Sequence, residues 1–354
     1  MKVLAVTNMY PTATCPAQGT FVERQIESLR PLVDIELMHI DRMESGRGEY
    51  AHVRARMKEA ISETRPDLIH LMYGGALAAL AATAAQNLPF VLSVCGSDLL
   101  GDPQRSWKRR AFGKATVLAT KLAALRADAI IAKSQQLASR LPVLVPAGKI
   151  HVIPNGVDLD RFRPLDTAAC RERLGWSDKE FHVLFTGDPA NETKRYVDAQ
   201  LAMERLNARG VPARLQLMRG VSHEQVPVWL NAAHVLLLCS LHEGSPNIVK
   251  ESLACECPVV ATNVGDVAER LLGMEGCYVV NRDVDNFASC LEKVFRSGSR
   301  LCSRNKMMAI SLPAIAQRIA TIYQNVCESR RPIPRGFRAS TAICLGRQDE
   351  NPKT

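Results

Sequence analysis

Short apolar runs alternate with longer stretches of mixed apolar and polar residues along most of this chain. An apolar run bounded by turn residues indicates a buried strand, and an amphipathic stretch after it indicates a helix. This alternation predicts an α/β fold with parallel, doubly wound sheets. The predicted strands are Lys2–Thr7, Val33–Ile40, Asp67–Met72, Pro89–Cys95, Ala129–Ala132, Ile150–Ile153, Phe181–Thr186, Ala213–Met218, Val235–Cys239, Pro258–Thr262 and Cys277–Val280.

The strand and helix pattern restarts near the middle of the chain, after a polar stretch at residues 163–180. A length of 354 residues also suits two domains of about 150–200 residues each. We place the first domain at residues 1–158 and the second at 159–312. Residues 331–354 hold three prolines and many polar side chains, which predicts a disordered tail.

The composition narrows the class of protein. The apolar fraction of 47% and the charged fraction of 23% are ordinary for a globular chain, and no apolar run is long enough to predict a transmembrane helix. The 11 cysteines are scattered without a C-x-x-C pair, so we expect reduced thiols and a cytoplasmic protein. The net charge of +9 favours an anionic partner.

The candidate chemistry centres on the βαβ unit that starts with the strand Val235–Cys239. Glu243 precedes the next predicted helix, Asn247–Cys255, and Glu251 lies inside it. The backbone N–H groups at residues 245–249 would point out of the helix start as an anion site. Open α/β sheets bind ligands at this carboxyl end of their strands. The anion site would bind a phosphate, and the two carboxylates would accept hydrogen bonds from hydroxyl groups. A nucleotide-sugar carries both kinds of group, so the sequence predicts a nucleotide-sugar site.

Two strings in the sequence carry a family resemblance. Residues 243–251, EGSPNIVKE, resemble the E-x7-E motif of retaining glycosyltransferases with the GT-B fold, of the large family 4 type (glycosyl transferases group 1). Residues 153–162, IPNGVDLDRF, resemble the interdomain connection of the same family. The resemblance covers residues 1–330. It implies two Rossmann-like domains facing a cleft, with the acceptor on the first domain and a helix at 313–330 that crosses back to it.

The resemblance also implies roles for the residues of this motif. Glu251 would hold the ribose hydroxyls of a nucleotide-sugar donor, and Glu243 would act on the sugar as a catalytic residue. The backbone around the helix start would contact the sugar and phosphate through Gly244, Ser245, Pro246, Asn247 and Ile248.

The departing nucleotide diphosphate needs fixed positive charge, because the sequence shows no metal-ligand cluster and we expect no cofactor. Relatives carry an arginine just after Gly187 and a lysine several residues later. Here Asp188 stands in place of the arginine, Lys194 matches the lysine, and we expect Arg195 to supply the second charge. Gly19 is a candidate for a glycine loop that faces the diphosphate, although a plain strand-to-helix connection also fits.

Candidate acceptor residues follow the fourth strand, in the loop Gly96–Gly101. Relatives often carry a histidine at the position of Cys95, so this departure puts a histidine role in doubt. Asp98 is a candidate for orienting the acceptor hydroxyl, and a turn or N-cap role fits it equally. His70 suits a structural role better than a catalytic one, and we expect His223 to be exposed.

Residues Arg105–Arg126 contain seven basic residues and no acidic one, with aromatic and aliphatic residues among them. A basic amphipathic helix suits contact with an anionic membrane surface, and a solvated helix beside the cleft is the alternative. Binding to nucleic acid is not predicted, since the aromatic fraction is 5% and no nucleic-acid motif is present.

These observations predict a glycosyltransferase that moves a sugar from a nucleotide-diphosphate sugar to a hydroxyl of a glycan or lipid-linked acceptor. The resemblance implies retention of configuration, in cell-surface polysaccharide or glycolipid synthesis. Three alternatives stay open: a sugar-nucleotide epimerase, a phosphorylase of related fold, and a catalytically silent scaffold of a polysaccharide assembly. Peripheral contact with the inner face of the cell membrane is also left open.

Overall fold

The computed structural model describes residues 1–15, 18–41, 49–85, 87–101 and 107–330. The predicted disordered tail at 331–354 and Arg105 of the predicted basic helix lie outside the described residues.

The strands lie close to their predicted positions, usually shorter by a residue at either end. They are β1 Lys2–Thr7, β2 Asp34–His39, β3 Leu68–Leu71, β4 Phe90–Val94, β5 Ala129–Ala132, β6 Ile150–Val152, β7 Phe181–Thr186, β8 Ala213–Met218, β9 Val235–Leu238, β10 Val259–Thr262 and β11 Tyr278–Val280. The helices are α1 Thr20–Leu29, α2 Glu49–Thr64, α3 Ala76–Ala84, α4 Ser97–Leu100, α5 Trp107–Arg126, α6 Gln135–Ala138, α7 Thr167–Leu174, α8 Tyr196–Ala208, α9 Val226–Ala232, α10 Asn247–Ala254, α11 Val267–Leu271, α12 Val284–Ser297, α13 Arg304–Met307 and α14 Leu312–Ser329.

The strands form two parallel sheets, which confirms the predicted α/β class. The first has the order β2-β1-β3-β4-β5-β6, and the second has the order β11-β10-β9-β7-β8. Both orders reverse direction within the sheet, and right-handed crossovers then place helices on both faces. In the first sheet, α3 packs against α2 and α5, whereas α1 packs against α14. The carboxyl ends of both sets of strands face each other across a cleft.

The last described helix, α14, is anchored to the first sheet by a buried polar contact. The Tyr323 hydroxyl hydrogen-bonds to His70 Nδ1 at 2.5 Å, and His70 Nε2 lies 2.8 Å from Ser93 Oγ. All three residues are buried, and burial lowers the pKa of His70 to about 3, so its imidazole is neutral. His70 therefore has a structural role. The proposed domain boundaries remain a prediction.

The two sets of strand-end loops touch at Gly244. A Cβ atom at this position would lie 1.7 Å from the carbonyl oxygen of Cys95, so only glycine permits the contact. Two hydrogen bonds accompany it. The Gly265 N–H donates to Gln136 Oε1 at 2.7 Å, and the Asn155 amide donates to Asn247 Oδ1 at 3.2 Å.

A membrane-spanning element is not among the described helices, since none combines the required length with sufficient apolar character.

The buried contact between α14 and the first sheet can be tested with Tyr323→Phe. This substitution leaves a buried imidazole nitrogen without its partner, so we expect the free energy of unfolding to fall by about 1–3 kcal/mol. Urea denaturation measures the change. Tyr278→Phe, a half-buried tyrosine on β11, is the matched control, and equal stability of the two variants would contradict the anchoring role.

Candidate active site

A cavity of about 520 Å³ opens between the two sheets, where β4 and β9 end. The first domain contributes Phe21, Tyr73, Asn155 and the segment from Cys95 to Ser97. The second domain contributes Lys194 and the segment from His242 to Asn247. The predicted motif therefore lines a cleft between the sheets, as expected for a ligand that bridges two domains.

The start of α10 forms one wall of this cavity. Pro246 has φ −66° and ψ 113° and precedes Asn247, the first residue of the helix. The first backbone N–H groups of a helix have no intrahelical partner, and they favour an anion. Gly244, Ser245, Pro246 and Asn247 line the cavity, whereas Ile248 does not. Pro246 shapes the turn but has no N–H to donate.

The two predicted catalytic residues of the second domain form an ion pair. Lys194 Nζ lies 2.6 Å from Glu243 Oε1, and the Ser240 hydroxyl donates to the same oxygen at 2.8 Å. Lys194 ends a 3₁₀ turn, Glu192–Lys194, that follows β7. The carboxylate holds the ammonium at the cavity wall, and two of its N–H donors remain for a ligand.

Glu251 belongs to a polar network that reaches the first domain. Its Oε1 lies 3.1 Å from His223 Nε2, and His223 Nδ1 lies 2.9 Å from a guanidinium nitrogen of Arg24 and 3.2 Å from one of Arg161. A guanidinium only donates, so Nδ1 must accept and Nε2–H must donate to Glu251. His223 is therefore a half-buried partner of Glu251, and the expectation that it is exposed was wrong.

Comparison with known proteins adds independent evidence to this geometry. Residues 16–161 match the model of Glycosyltransferase Family 4, and residues 168–297 match that of Glycosyl transferases group 1. The chain belongs to this glycosyltransferase family. The family predicted from the E-x7-E string is thus confirmed, and the two matches together cover every strand of the two sheets except β1.

Among curated proteins, the chain is 28% identical over 330 residues to the putative teichuronic acid biosynthesis glycosyltransferase TuaC of Bacillus subtilis, covering 76% of this chain and 82% of that protein. It is also 28% identical over 211 residues to D-inositol 3-phosphate glycosyltransferase 2 of Catenulispora acidiphila, covering 49% of each chain. The chain thus spans about half the length of this second relative.

Solved structures share the fold. Sucrose-phosphate synthase from Thermosynechococcus elongatus superposes with a TM-score of 0.75 at 17% identity, covering 93% of this chain and all of that one. Anabaena HepE, solved with UDP and glucose, gives 0.65 at 16% identity, covering 92% of this chain and 100% of that one. A UDP-GlcNAc 2-epimerase from Methanocaldococcus jannaschii gives 0.57 at 11% identity, with the same coverage. The GT-B fold is confirmed, and it is shared with an epimerase.

Besides Ile248 and Glu251, three predicted site residues of this glycosyltransferase do not line the cavity. Arg195 makes two hydrogen bonds to Asp198, at 2.7 and 2.9 Å, and these raise its pKa. Gly19 is buried with φ +69°, and a Cβ there would lie 2.3 Å from the Met9 carbonyl carbon. Its glycine is required by backbone packing at the start of α1. The third residue is Asp98.

Asp98 lies beneath the loop that carries the first-domain wall. It is 3% exposed, and its carboxylate accepts backbone N–H groups from Gly96 at 2.7 Å, Gly74 at 3.0 Å and Cys95 at 3.0 Å. Burial raises the pKa of Asp98, and these N–H groups oppose the shift. This geometry supports the turn role that the sequence left open. A direct contact of Asp98 with the acceptor remains a prediction.

Cys95 stands where the family resemblance implies a histidine in many relatives. It lines the cavity, and its thiol lies 3.6 Å from the Met72 carbonyl oxygen. Burial raises the pKa of Cys95 to about 12, with a further increase from Asp98, so the thiol stays protonated. Cys95 therefore supplies no proton-transfer group at neutral pH.

No group of three or more histidine, cysteine, aspartate or glutamate side chains that could hold a metal ion occurs among the residues that the structure describes. The expectation that the reaction needs no metal remains a prediction.

Sequence reasoning missed Arg24, Arg161 and Lys250 at this site. The two arginines lie far from the motif in sequence, and only the fold brings them to His223. Lys250 did carry a signal. It interrupts the apolar stripe of α10 between Val249 and Leu253, and it is 1% exposed.

The role of Asp98 can be tested with Asp98→Asn. An amide would turn an NH₂ group toward backbone donors, so we expect the free energy of unfolding to fall by about 1–3 kcal/mol. Urea denaturation measures the loss, and Asp160→Asn on the exposed interdomain connection is the control. Unchanged stability together with a reduced turnover rate would instead support direct contact with the acceptor.

Proposed function

We propose that this protein transfers a sugar from a nucleotide-diphosphate sugar to a hydroxyl of a glycan or lipid-linked acceptor, in cell-surface polysaccharide or glycolipid synthesis. The observation that carries the proposal is the convergence of Lys194, Glu243 and the start of α10 on one interdomain cavity. The name of the Bacillus subtilis relative, which refers to teichuronic acid biosynthesis, supports the polysaccharide assignment.

The donor occupies the second-domain side of the cavity. Its diphosphate would accept hydrogen bonds from the first N–H groups of α10 and from Lys194. Glu251 is 12% exposed at its side chain, and its contact with His223 uses one of its oxygens. The other oxygen accepts from the ribose hydroxyls.

The acceptor approaches from the first domain. The hydroxyls of Tyr73 and Ser97 lie 2.6 Å apart, and both residues line the cavity. We infer that this pair orients the acceptor hydroxyl, while Asp98 holds their loop.

The reaction proceeds with retention in this proposal. The bond between the sugar C1 and the phosphate oxygen breaks, and a bond from C1 to the acceptor oxygen forms on the same face. The proton of the acceptor hydroxyl passes to the departing phosphate oxygen, and Lys194 stabilises the negative charge that develops there.

The donor site can be tested by titration calorimetry with UDP, GDP, ADP and CMP. We expect one of them to bind, and Glu251→Ala to weaken it at least about tenfold, which is about 1.4 kcal/mol. The loss follows because the ribose hydroxyls no longer find an acceptor. Glu204→Ala, an exposed glutamate on α8, is the control and should leave the affinity unchanged.

The alternatives give different outcomes in this titration and in turnover assays with nucleotide-sugars. A folded protein that binds none of the four nucleotides would favour the silent scaffold. Conversion of a nucleotide-sugar to its epimer without any acceptor would favour the epimerase, whose fold is shared. Release of the nucleoside diphosphate only when an acceptor is added supports the transferase.

We further propose that α5 contacts an anionic membrane surface, with the protein in the cytoplasm at the inner face of the membrane. Leu118, Leu122 and Leu125 are 56%, 54% and 43% exposed and follow helical spacing, so they form one apolar stripe. Trp107, 73% exposed, continues this stripe toward the start of the helix. Lysines flank it, as an interfacial helix requires.

A second exposed apolar site adjoins α5. Val143 and Leu144 are 101% and 81% exposed. Their loop is connected to the end of α5, since Lys149 Nζ donates to the Ala127 carbonyl at 3.0 Å. In this proposal both apolar features contact the membrane surface.

Flotation with vesicles of phosphatidylcholine and phosphatidylserine tests this contact. We expect the wild-type protein to float at low salt and less at high salt, because salt screens the lysines. The double substitution Leu118→Glu and Leu122→Glu should abolish flotation by placing charge in the stripe. Leu201→Glu, at a leucine 41% exposed on α8, is the control, and equal flotation of all three proteins would overturn the proposal.

A further inference from the structure

Lys250 is a fully buried lysine one turn inside α10, directly behind the cavity wall. It is 1% exposed, and its ammonium donates a hydrogen bond to Ser245 Oγ at 2.8 Å. The neighbouring side chains Val249 and Leu253 are completely buried. A buried charge is costly unless it is paired, and a serine hydroxyl carries no charge. The position therefore requires an explanation beyond packing.

The direction of this hydrogen bond determines what Ser245 can do. An ammonium only donates, so the Ser245 oxygen must accept. Within the described part of the chain, the structure gives the Ser245 hydroxyl no other hydrogen-bond partner. Ser245 lines the cavity, so its own O–H can donate to a ligand there. A donor that already accepts from a cation is polarised and donates more strongly.

The surrounding charges leave Lys250 incompletely neutralised. The charged groups that act on it are Asp266, Lys133, Glu251 and Arg270. Asp266 is 2% exposed, but Arg270 Nε lies 3.4 Å from its carboxylate and shares its charge. Lys133 is a second buried lysine, contributed by the first domain. Burial, with further repulsion from Lys133, lowers the pKa of Lys250 to about 8.

The cavity wall itself offers little free positive charge. Lys194 is paired with Glu243 at 2.6 Å, and Arg195 is turned toward Asp198. Asp188, which follows β7, lies 3.2 Å from Arg219. A dianionic diphosphate in this cavity therefore needs a further cation. Lys250 is a buried cation that contacts Ser245, a residue of the cavity lining.

We propose that Lys250 is a positioning residue for a phosphate bound at the start of α10. Its ammonium orients the Ser245 hydroxyl toward a phosphate oxygen and supplies positive charge behind it. The inference rests on the proposed function, because it takes the anion to be the diphosphate of a nucleotide donor.

This arrangement links anion binding to a proton. Near pH 8 a fraction of the free protein has a neutral Lys250 amine, and a bound phosphate favours the charged form. Binding should therefore take up a proton in this pH range. As the pH rises above 8, the Lys250 amine is neutral in more of the free protein and must take up a proton on binding. The affinity for phosphate should therefore fall more steeply with pH than in a variant that lacks this amine.

The test is titration calorimetry with UDP, GDP and ADP, and with the corresponding nucleosides, near pH 8. Lys250→Met keeps the length of the side chain and removes its charge, and we expect at least a tenfold loss of diphosphate affinity. The affinity for the uncharged nucleoside should change less than twofold. Ser245→Ala should give a smaller loss, and Lys58→Met, at an exposed lysine on α2, should give none.

Proton uptake provides a readout that a merely structural role would not change. Repeating the titration in buffers of different ionisation enthalpy gives the number of protons taken up. We expect uptake in the wild-type protein and in Lys58→Met, and its loss in Lys250→Met. Lys250→Met cannot be used if it does not fold. In that case the test compares Ser245→Ala with the wild-type protein in their affinities for the diphosphates and for the nucleosides.

The outcomes separate this inference from the proposed function. Equal diphosphate affinity and equal proton uptake in Lys250→Met and the wild-type protein would overturn the role of Lys250 alone. With an unfolded Lys250→Met, equal affinity in Ser245→Ala would do the same. A wild-type protein that binds none of the three diphosphates would instead refute the donor site itself.

Discussion

The contact between Gly244 and the Cys95 carbonyl is the constraint on which the rest of the site depends. Two strand-end loops from different sheets meet there with no side chain between them, since a Cβ at Gly244 would lie 1.7 Å from that oxygen. The contact places the segment before α10 directly against the first-domain loop. Asp98 holds one side of it by accepting three backbone N–H groups, and Pro246 shapes the other.

Charged side chains at the site lie in three places: at the cavity wall, behind the wall, and between Glu251 and the first domain. At the cavity wall, Glu243 balances the charge of Lys194 through one contact and leaves two N–H donors of the ammonium for a ligand. Behind the wall lie two buried lysines, Lys250 and Lys133, and the buried carboxylates of Asp266 and Asp98 act on them. On the far side, His223 connects Glu251 to Arg24 of the first domain. The proposed donor site therefore includes Glu251, which is connected by hydrogen bonds to a residue of the first domain.

The strands and the long helices were predictable because their signals are local. Lys2–Thr7 is a nearly continuous apolar run, as expected for a buried strand, whereas the edge strand Ala213–Met218 alternates apolar and polar residues. Both strands, and Phe181–Thr186, were predicted with their observed bounds. Short helices such as Gln135–Ala138 have too few residues to show a helical period, and they were missed. The E-x7-E string led to the family and to the correct loop, because the residues of a helix start are contiguous in sequence.

The sequence by itself determined the fold class, the family and the segment that forms the second-domain wall. Only the tertiary structure decided which charged groups reach that wall. Arg195 is next to Lys194 in sequence, yet its left-handed backbone conformation, φ 57°, accompanies an ion pair with Asp198. Lys250 lies behind the wall instead of on a solvated helix face. The physical reason is that a motif specifies a local backbone, whereas the partner of a charge depends on which distant residues the fold brings within hydrogen-bonding distance.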